Sequence, residues 1–114
     1  MITLYGIKNC DTVRKAHRWC EANDVDFTFH DVRSDGLDKA TIQTWLQYTT
    51  WENVLNQRST TWRQLNDPRK ESLDVHTAIE LILENPTLIK RPVLFNGTQC
   101  LVGFKEAEYA ALFN

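Results

Sequence analysis

The sequence predicts a mixed α/β fold in which a β-α-β unit is followed by a helical segment and then by a β-β-α unit. Two observations at the chain ends predict this order. Strand-like apolar runs flank one amphipathic helix near the start, and an Asn96-Gly97 pair, the strongest short hairpin signal in the chain, lies between two apolar runs near the end. The region between these units has helical apolar spacing and predicts helices.

The β-α-β unit is predicted within residues 1–32. Residues 2–5 form a short apolar strand, and residues 26–32 form a second strand in which Phe27 and Phe29 alternate with polar residues. The helix between them covers residues 11–22, because its apolar side chains recur three and four positions apart: Val13, Ala16 and Cys20. A strand-helix-strand order of this length favours a parallel strand pair joined by a right-handed crossover.

The helical segment begins after a turn at residues 34–36. Asp38 is the predicted N-cap of a helix that continues to about residue 48, and residues 51–55 form a further short helix. Residues 56–61 are polar, and residues 66–68 form a break. Ser72 is the predicted cap of the next helix, which Asn85-Pro86 ends.

The closing unit contains a strand over residues 91–95, entered through Pro92, a return strand over residues 100–102 and a final helix over residues 104–113. This is the element order of a thioredoxin-like sheet, with roughly 40 extra, mainly helical residues between the second strand and the proline. We therefore expect residues 1–114 to form a single thioredoxin-like domain with a helical insertion at about residues 35–85.

Composition narrows the functional classes. The chain has 114 residues, a formal net charge of -2 and 42% hydrophobic residues, which is typical of a soluble globular protein. The charge gives no indication of nucleic-acid binding, and no apolar run approaches the roughly 20 residues of a membrane span. The sequence begins directly with a strand, so we expect a cytoplasmic protein, with no nucleic-acid or membrane partner, whose thiols stay reduced.

Cys10 is the candidate catalytic residue. It follows the first strand and a polar loop and stands at the start of the first helix, where unpaired N–H groups and the helix dipole favour the thiolate. The thiolate is the reactive form of cysteine. The alternative is a small buried hydrophobic side chain, but the polar loop and the nearby cations favour a nucleophile.

The sequence offers Cys10 no neighbouring second thiol. Position 13 is Val13, so there is no CxxC motif, and Cys20 lies ten residues along the same helix, roughly 15 Å away. A disulfide needs Cα atoms within about 7 Å. Cys20 is predicted to be a core residue and Cys100 a structural one. We therefore predict a mechanism with one cysteine, resolved by an external thiol such as glutathione.

Four segments together resemble the ArsC/Spx family and, within it, the YffB branch. They extend over nearly the whole chain: Tyr5-Gly6-Ile7-Lys8-Asn9-Cys10-Asp11-Thr12, Phe29-His30-Asp31, Asn56-Gln57-Arg58-Ser59-Thr60-Thr61-Trp62-Arg63 and Ile89-Lys90-Arg91-Pro92-Val93. The resemblance implies a thioredoxin-like domain with a helical insertion. It also implies either a glutaredoxin-coupled arsenate reductase, whose cysteine attacks arsenate and whose adduct glutathione resolves, or a redox-responsive regulator that binds RNA polymerase. The YffB branch is taken to contain glutathione-dependent thiol reductases.

The resemblance also assigns roles to individual residues. Cys10 matches the nucleophile, Arg58 and Arg91 match two arginines that hold an anionic group, and Pro92 matches the cis-proline beside the nucleophile. Pro92 would expose a backbone edge for glutathione or another disulfide.

Two further residues near Cys10 are candidates for its support. Lys8 would add a local positive charge, or remain a solvated loop residue. Thr12 would donate a hydrogen bond to the thiolate, or help to cap the helix. The histidines have no metal-ligand spacing with a cysteine, so we predict no metal site and no bound cofactor.

The third arginine of the reductase pattern is missing, because Gly103 or a neighbour occupies that region. Lys105 is near, but lysine is a point charge and does not offer a planar fork. This departure disfavours arsenate and leaves a thiol or glutathionyl substrate. The prediction is therefore a glutathione-dependent thiol reductase, with glutathione or a small oxyanion as ligand and glutaredoxin as a candidate partner. An arsenate reductase, an Spx-like regulator and an inactive scaffold remain as alternatives.

Overall fold

The computed structural model describes residues 1–113 and contains one four-stranded sheet. The strands are β1 (Thr3–Gly6), β2 (Thr28–Asp31), β3 (Val93–Phe95) and β4 (Cys100–Val102), in the spatial order β2-β1-β3-β4. β1 and β2 are parallel, and the other two pairs are antiparallel. This confirms the predicted β-α-β unit, its parallel strand pair and the hairpin at Asn96-Gly97.

Six helices surround this sheet within the described residues: α1 (Asp11–Ala22), α2 (Lys39–Trp45), α3 (Trp51–Val54), α4 (Thr60–Gln64), α5 (Val75–Glu84) and α6 (Glu106–Phe113). Short 3₁₀ turns occupy Pro68–Glu71 and Pro86–Leu88. None of the helices in residues 1–113 combines the length and the apolar character that a bilayer crossing would require.

Helix caps explain where the elements of the middle segment begin. The predicted cap of α2 is confirmed, because the Asp38 side chain accepts a hydrogen bond from the Thr41 N–H at 2.8 Å. The predicted cap of α5 is wrong. Ser72 ends the preceding 3₁₀ turn, and Asp74 forms a capping box with Thr77 in which each side chain accepts from the backbone N–H of the other residue.

Other predicted boundaries also change: β2 and β3 are shorter than the strands predicted over residues 26–32 and 91–95, and α6 begins at Glu106 and not at residue 104. α2 ends at Trp45, short of the predicted residue 48, and turns follow it. The polar stretch over residues 56–61 contains the start of α4, which Ser59 caps by accepting a hydrogen bond from the Trp62 N–H at 3.1 Å. Because α4 has five residues, its sequence is too short to display helical periodicity.

The core lies on both sides of the sheet. Leu4 and Leu94 are paired neighbours in β1 and β3 and pack with α1 and α6 residues, including Cys20, which is fully buried as predicted. Val93 points to the opposite side, because side chains alternate along a strand, and it packs with the residues of the middle helices. Cys10 and Cys100 border this second cluster.

Candidate active site

Cys10 stands at the junction of β1 and α1. It is the N-cap residue of α1, and its backbone C=O accepts a hydrogen bond from the Arg14 N–H at 3.0 Å. Its side chain is half-buried and makes no capping hydrogen bond within residues 1–113. The sulfur therefore accepts no hydrogen bond from the N–H groups at the start of the helix and remains available for chemistry. The dipole at the N-terminus of a helix favours negative charge at such a position.

A close backbone contact fixes the position of α1 relative to β1. Gly6 ends β1, and a methyl group at this position would lie 2.7 Å from Cγ2 of Val13 in the first turn of α1. Such a distance is well inside van der Waals contact. The absence of a side chain at Gly6 therefore allows α1, whose N-cap is Cys10, to approach the strand closely.

The Asp31 carboxylate anchors the loop that precedes Cys10. Asp31 is 4% exposed and accepts hydrogen bonds from the backbone N–H groups of Lys8 at 3.2 Å, Arg33 at 2.8 Å and Ser34 at 3.1 Å. Burial by itself would raise the pKa of Asp31, but these hydrogen bonds outweigh it and hold the pKa below the usual range. The end of β2 thereby ties the β1–α1 loop to the sheet.

Cys10 faces a cleft with a volume of about 470 Å³. Four parts of the chain form its walls: the start of α1, the end of α3, the approach to β3, and β4 with the start of α6. The lining residues are Cys10, Thr12, Asn53, Asn56, Lys90, Arg91, Cys100, Leu101, Val102, Gly103, Phe104, Lys105 and Glu108. A cleft of this size suits a small-molecule ligand.

The charged residues of the cleft give it a positive balance. Lys90, Arg91 and Lys105 contribute three cations, and Glu108 contributes one carboxylate among the lining residues that the structure describes. Arginine and lysine at the walls of a concave site attract anionic groups such as carboxylates and oxyanions. The cleft is therefore suited to a ligand with more negative than positive groups.

Arg91 is held in place by its neighbours. Its Nη1 donates a hydrogen bond to the Thr87 C=O at 2.9 Å, while its buried Nε has no partner within residues 1–113. The Arg91–Pro92 peptide bond is cis. The Pro92 C=O accepts from the Gly103 N–H at 2.8 Å, whereas the backbone N–H and C=O of Arg91 pair with no group in the described chain.

Cys100 lines the same cleft. The sequence predicted only a structural role for this residue. It is half-buried at the start of β4. Burial disfavours the charged thiolate and raises the pKa of Cys100 to about 12. Cys100 is thus a protonated thiol in the cleft wall near neutral pH.

The structure brings some predicted site residues together and separates others. Cys10, Thr12 and Arg91 line the cleft, whereas Pro92, the next residue along the chain, is buried and is not among the lining residues that the structure describes. Arg58 is exposed in an adjoining hollow of about 500 Å³, which shares Asn56 and Lys90 with the cleft.

Lys8 lies outside the cleft as well. It lines a separate small hollow with Arg14, His17 and Phe29, and its backbone bonds Asp31. Neither Lys8 nor Arg58 is among the described residues that line the Cys10 cleft, so neither side chain contributes to the charge of the cleft.

Several residues that line the cleft were not predicted as site residues from the sequence, namely Asn53, Asn56, Lys90 and Glu108. Lys90 directly precedes Arg91 in a segment that already carried the family resemblance, so its position was a usable signal. Asn53 and Glu108 belong to helices with no chemical motif. Within residues 1–113, no group of three or more His, Cys, Asp or Glu side chains is arranged to hold a metal ion.

Comparison with solved structures confirms the thioredoxin-like fold. A glutaredoxin from Archaeoglobus fulgidus superposes with a TM-score of 0.50 at 13% identity, covering 99% of this chain and 85% of the glutaredoxin chain. A YffB protein superposes with a TM-score of 0.96 at 44% identity, covering 100% of both chains. The sheet and the helices between β2 and β3 are thus shared with that protein.

Further comparisons define the family. An arsenate reductase (ArsC) related protein from Brucella melitensis is 44% identical, with a TM-score of 0.76 and coverage of 99% of this chain and 94% of its own. A global transcriptional regulator Spx from Streptococcus pyogenes serotype M3 is 30% identical over 116 residues, covering 100% of this chain and 86% of its own. The model of the ArsC family matches residues 5–112. The chain belongs to the ArsC family.

Proposed function

We propose that this protein is a glutathione-dependent thiol reductase in which Cys10 is the nucleophile and an external thiol resolves its adduct. The observation that carries the proposal is the position of Cys10 at the helix N-cap, facing a cleft with a positive charge balance. The N-terminus of a helix attracts negative charge, and the cations favour a substrate with carboxylates. Membership of a family that includes arsenate-reductase-related proteins supports a thiol-dependent reduction.

The proposed reaction has two thiol–disulfide exchange steps. The Cys10 thiolate attacks one sulfur of a glutathionyl disulfide, forming a mixed disulfide with glutathione and releasing the other half as a thiolate, which takes up a proton. A second glutathione thiolate then attacks the glutathione sulfur of the adduct. Oxidised glutathione leaves, and Cys10 returns to the thiolate. In the net reaction one free glutathione is consumed and its proton passes to the released half of the substrate, while the glutathionyl half of the substrate and the attacking glutathione leave together as oxidised glutathione.

The surrounding residues have separate proposed roles. Arg91 binds a carboxylate of the glutathionyl group, and its free backbone N–H and C=O, next to Pro92, pair with the peptide backbone of the ligand. Thr12 donates a hydrogen bond to the Cys10 sulfur. Arg58 would bind only a ligand that extends past Asn56 into the adjoining hollow. Lys8 adds positive charge near the loop without entering the cleft.

Glutathione is the co-substrate of this proposal, and no bound cofactor takes part. A glutaredoxin is the protein partner that we propose for reduction of the mixed disulfide in place of free glutathione. We place the reaction in the cytoplasm, where small thiols are kept reduced.

The first experiment is incubation of the reduced protein with oxidised glutathione, followed by intact and peptide mass spectrometry. We expect one glutathione adduct at Cys10, with Cys20 and Cys100 free. The Cys10→Ser variant should form no adduct, and Cys100→Ser should form it normally. Labelling of Cys100 alone, or normal turnover by Cys10→Ser, would contradict the proposal.

Arsenate reduction is the first alternative, favoured by the arsenate-reductase-related structure at 44% identity. Gly103 lies in the cleft where the resemblance leads us to look for a third arginine, and Lys105 is the nearest cation along the chain. A coupled assay with arsenate, glutathione and glutaredoxin tests it directly. Turnover of arsenate that exceeds turnover of glutathionyl disulfides would establish this alternative.

A regulator that binds RNA polymerase is the second alternative, favoured by 30% identity to an Spx protein over the whole chain. Val13, which is buried, occupies the position of a second cysteine in a CxxC switch. A binding assay with purified RNA polymerase tests this alternative. Tight binding together with an unreactive Cys10 would favour it over the enzyme.

A further inference from the structure

We propose that Glu108 binds the α-ammonium group of the γ-glutamyl end of glutathione and thereby makes the cleft prefer glutathione over thiols without that ammonium. This inference rests on the glutathione chemistry proposed above and adds a specificity-determining residue to it. Glu108 lines the same cleft as Cys10, on the first turn of α6.

The charges of the cleft are not neutralised within the protein. Among residues 1–113, no cation forms an ion pair with Glu108, and neither Lys90 nor Lys105 forms an ion pair with any acid. Charged groups that face a common cleft without protein partners are available for complementary charges on a ligand. The four cleft charges thus define the charge pattern of the ligand, namely several anionic groups and one cationic group.

Glutathione has this charge pattern. It carries two carboxylates, one at each end, and a single ammonium group on the same carbon atom as the γ-glutamyl carboxylate. That end therefore requires a cation and an anion close together, whereas the glycine end requires a cation alone. The ligand's thiol lies between the two ends, as the reacting group must.

Lys105 and Glu108 supply the close pair of opposite charges. The Glu108 N–H donates a hydrogen bond to the Lys105 C=O at 3.0 Å, so the two residues lie one turn apart at the start of α6. Residues three positions apart in a helical turn are neighbours on its surface. Lys105 would bind the γ-glutamyl carboxylate and Glu108 its ammonium, which leaves Arg91 and Lys90 for the glycine carboxylate.

A neighbouring acid provides a matched control. Glu106 is exposed on the same turn of α6, carries the same charge and does not line the cleft. Glu106→Gln changes the net charge by the same amount as Glu108→Gln and makes the same replacement in the first turn of the same helix. It leaves the cleft charges intact, so a difference between the two variants reports on Glu108 itself.

The experiment compares oxidised glutathione with the disulfide of N-acetylglutathione, in which a neutral acetamide replaces the ammonium group, and the comparison of variants with each disulfide accounts for the added acetyl group. The rate of adduct formation at Cys10 is measured with each. The wild-type protein should react faster with oxidised glutathione, and Glu108→Gln should lower this rate ratio about twofold to fivefold, the range for an ion pair formed by an exposed side chain. Glu106→Gln should keep the wild-type ratio.

The outcomes separate this inference from the proposed function. Adduct formation at Cys10 with the same rate ratio in the wild type and Glu108→Gln would overturn the inference and leave the glutathione chemistry standing. A wild-type protein that reacts equally with both disulfides would also overturn the inference and leave the glutathione chemistry standing. A wild-type protein that forms no Cys10 adduct with either disulfide would overturn the proposed function and this inference with it.

Discussion

Cys10 and Cys100 line the same cleft, although they lie near opposite ends of the sequence. The sheet brings the two segments together, because β3 stands between β1 and β4 and Val93 pairs with both Tyr5 and Val102, so the end of β4 lies beside the end of β1 that leads to Cys10. The two thiols differ in their surroundings. Cys10 lies at a helix N-cap, whereas burial keeps Cys100 protonated. The cleft therefore presents one thiol suited to attack and one suited to packing.

We predict that alkylation at pH 8 modifies Cys10 long before Cys100. With the pKa of Cys100 raised to about 12, only about one Cys100 in ten thousand is a thiolate at this pH. Timed iodoacetamide labelling with peptide mass spectrometry measures both sites in one sample, and the Cys10→Ser variant serves as the control for Cys100. Comparable labelling rates at the two sites would contradict the prediction.

We predict that Arg91→Gln slows adduct formation with oxidised glutathione about tenfold, because Arg91 lines the cleft and a guanidinium–carboxylate hydrogen bond is charge-assisted. Arg58→Gln should change this rate less than about twofold, since Arg58 lies in the adjoining hollow. Arg58→Gln should instead slow the reaction with a glutathionylated polypeptide, because such a substrate would extend past Asn56 into the hollow that contains Arg58. Equal effects of the two substitutions on oxidised glutathione would contradict this division.

We predict that Asp31→Asn destabilises the protein by about 1–3 kcal/mol at pH 7, because the backbone N–H groups of Lys8, Arg33 and Ser34 lose the charged acceptor that the buried Asp31 provides. Urea unfolding measures the free energy of unfolding. The substitution should also slow the reaction of Cys10, since Lys8 belongs to the loop that leads to it.

The pH dependence of this effect has a definite sign. The pKa of Asp31 in the folded protein is lowered, so its contribution to stability is full above the ordinary aspartate pKa of about 3.9 and is lost as the pH falls through the folded value. The difference between wild type and Asp31→Asn should therefore shrink below about pH 4. Asp26→Asn, at an exposed aspartate, is the control. A difference that grows in acid would contradict the assignment.

Sequence patterns predicted those elements whose signals are local. The helix from Asp11, the Asp38 cap and the Asn96-Gly97 hairpin each depend on residues within a few positions of one another. The misplaced cap at Ser72 shows the limit of such signals. Two acceptable caps lie two residues apart, and the structure uses Asp74, which forms a capping box with Thr77, whereas Ser72 ends the preceding 3₁₀ turn.

The composition of the cleft was less predictable, because it depends on how distant elements meet. β4 contributes Cys100, Leu101 and Val102 to the cleft, but only the pairing of β4 with β3 decides that this strand borders the cleft. Glu108 is similar, since nothing in α6 distinguishes it from Glu106 until the helix is placed. For Arg58 the sequence signal was present but the position was not: the residue matches the motif of the family, yet it lies in the adjoining hollow and does not line the cleft.

The contact between Gly6 and Val13 gives the last prediction. Gly6→Ala should destabilise the protein by about 1–3 kcal/mol, because the new methyl group would lie 2.7 Å from Val13 Cγ2 and must push α1 away from β1. Because Cys10 caps that helix, its reaction with oxidised glutathione should also slow. Val13→Ala removes the clashing methyl groups at the cost of a small cavity.

The double variant should therefore be more stable than the sum of the two single effects predicts, by about 1 kcal/mol or more, and should recover part of the Cys10 reaction rate. Urea unfolding of the four proteins completes the cycle. Strictly additive effects would mean that Gly6 does not set the distance between strand and helix. Recovery of stability without recovery of rate would mean that the placement of α1 does not control the reactivity of Cys10.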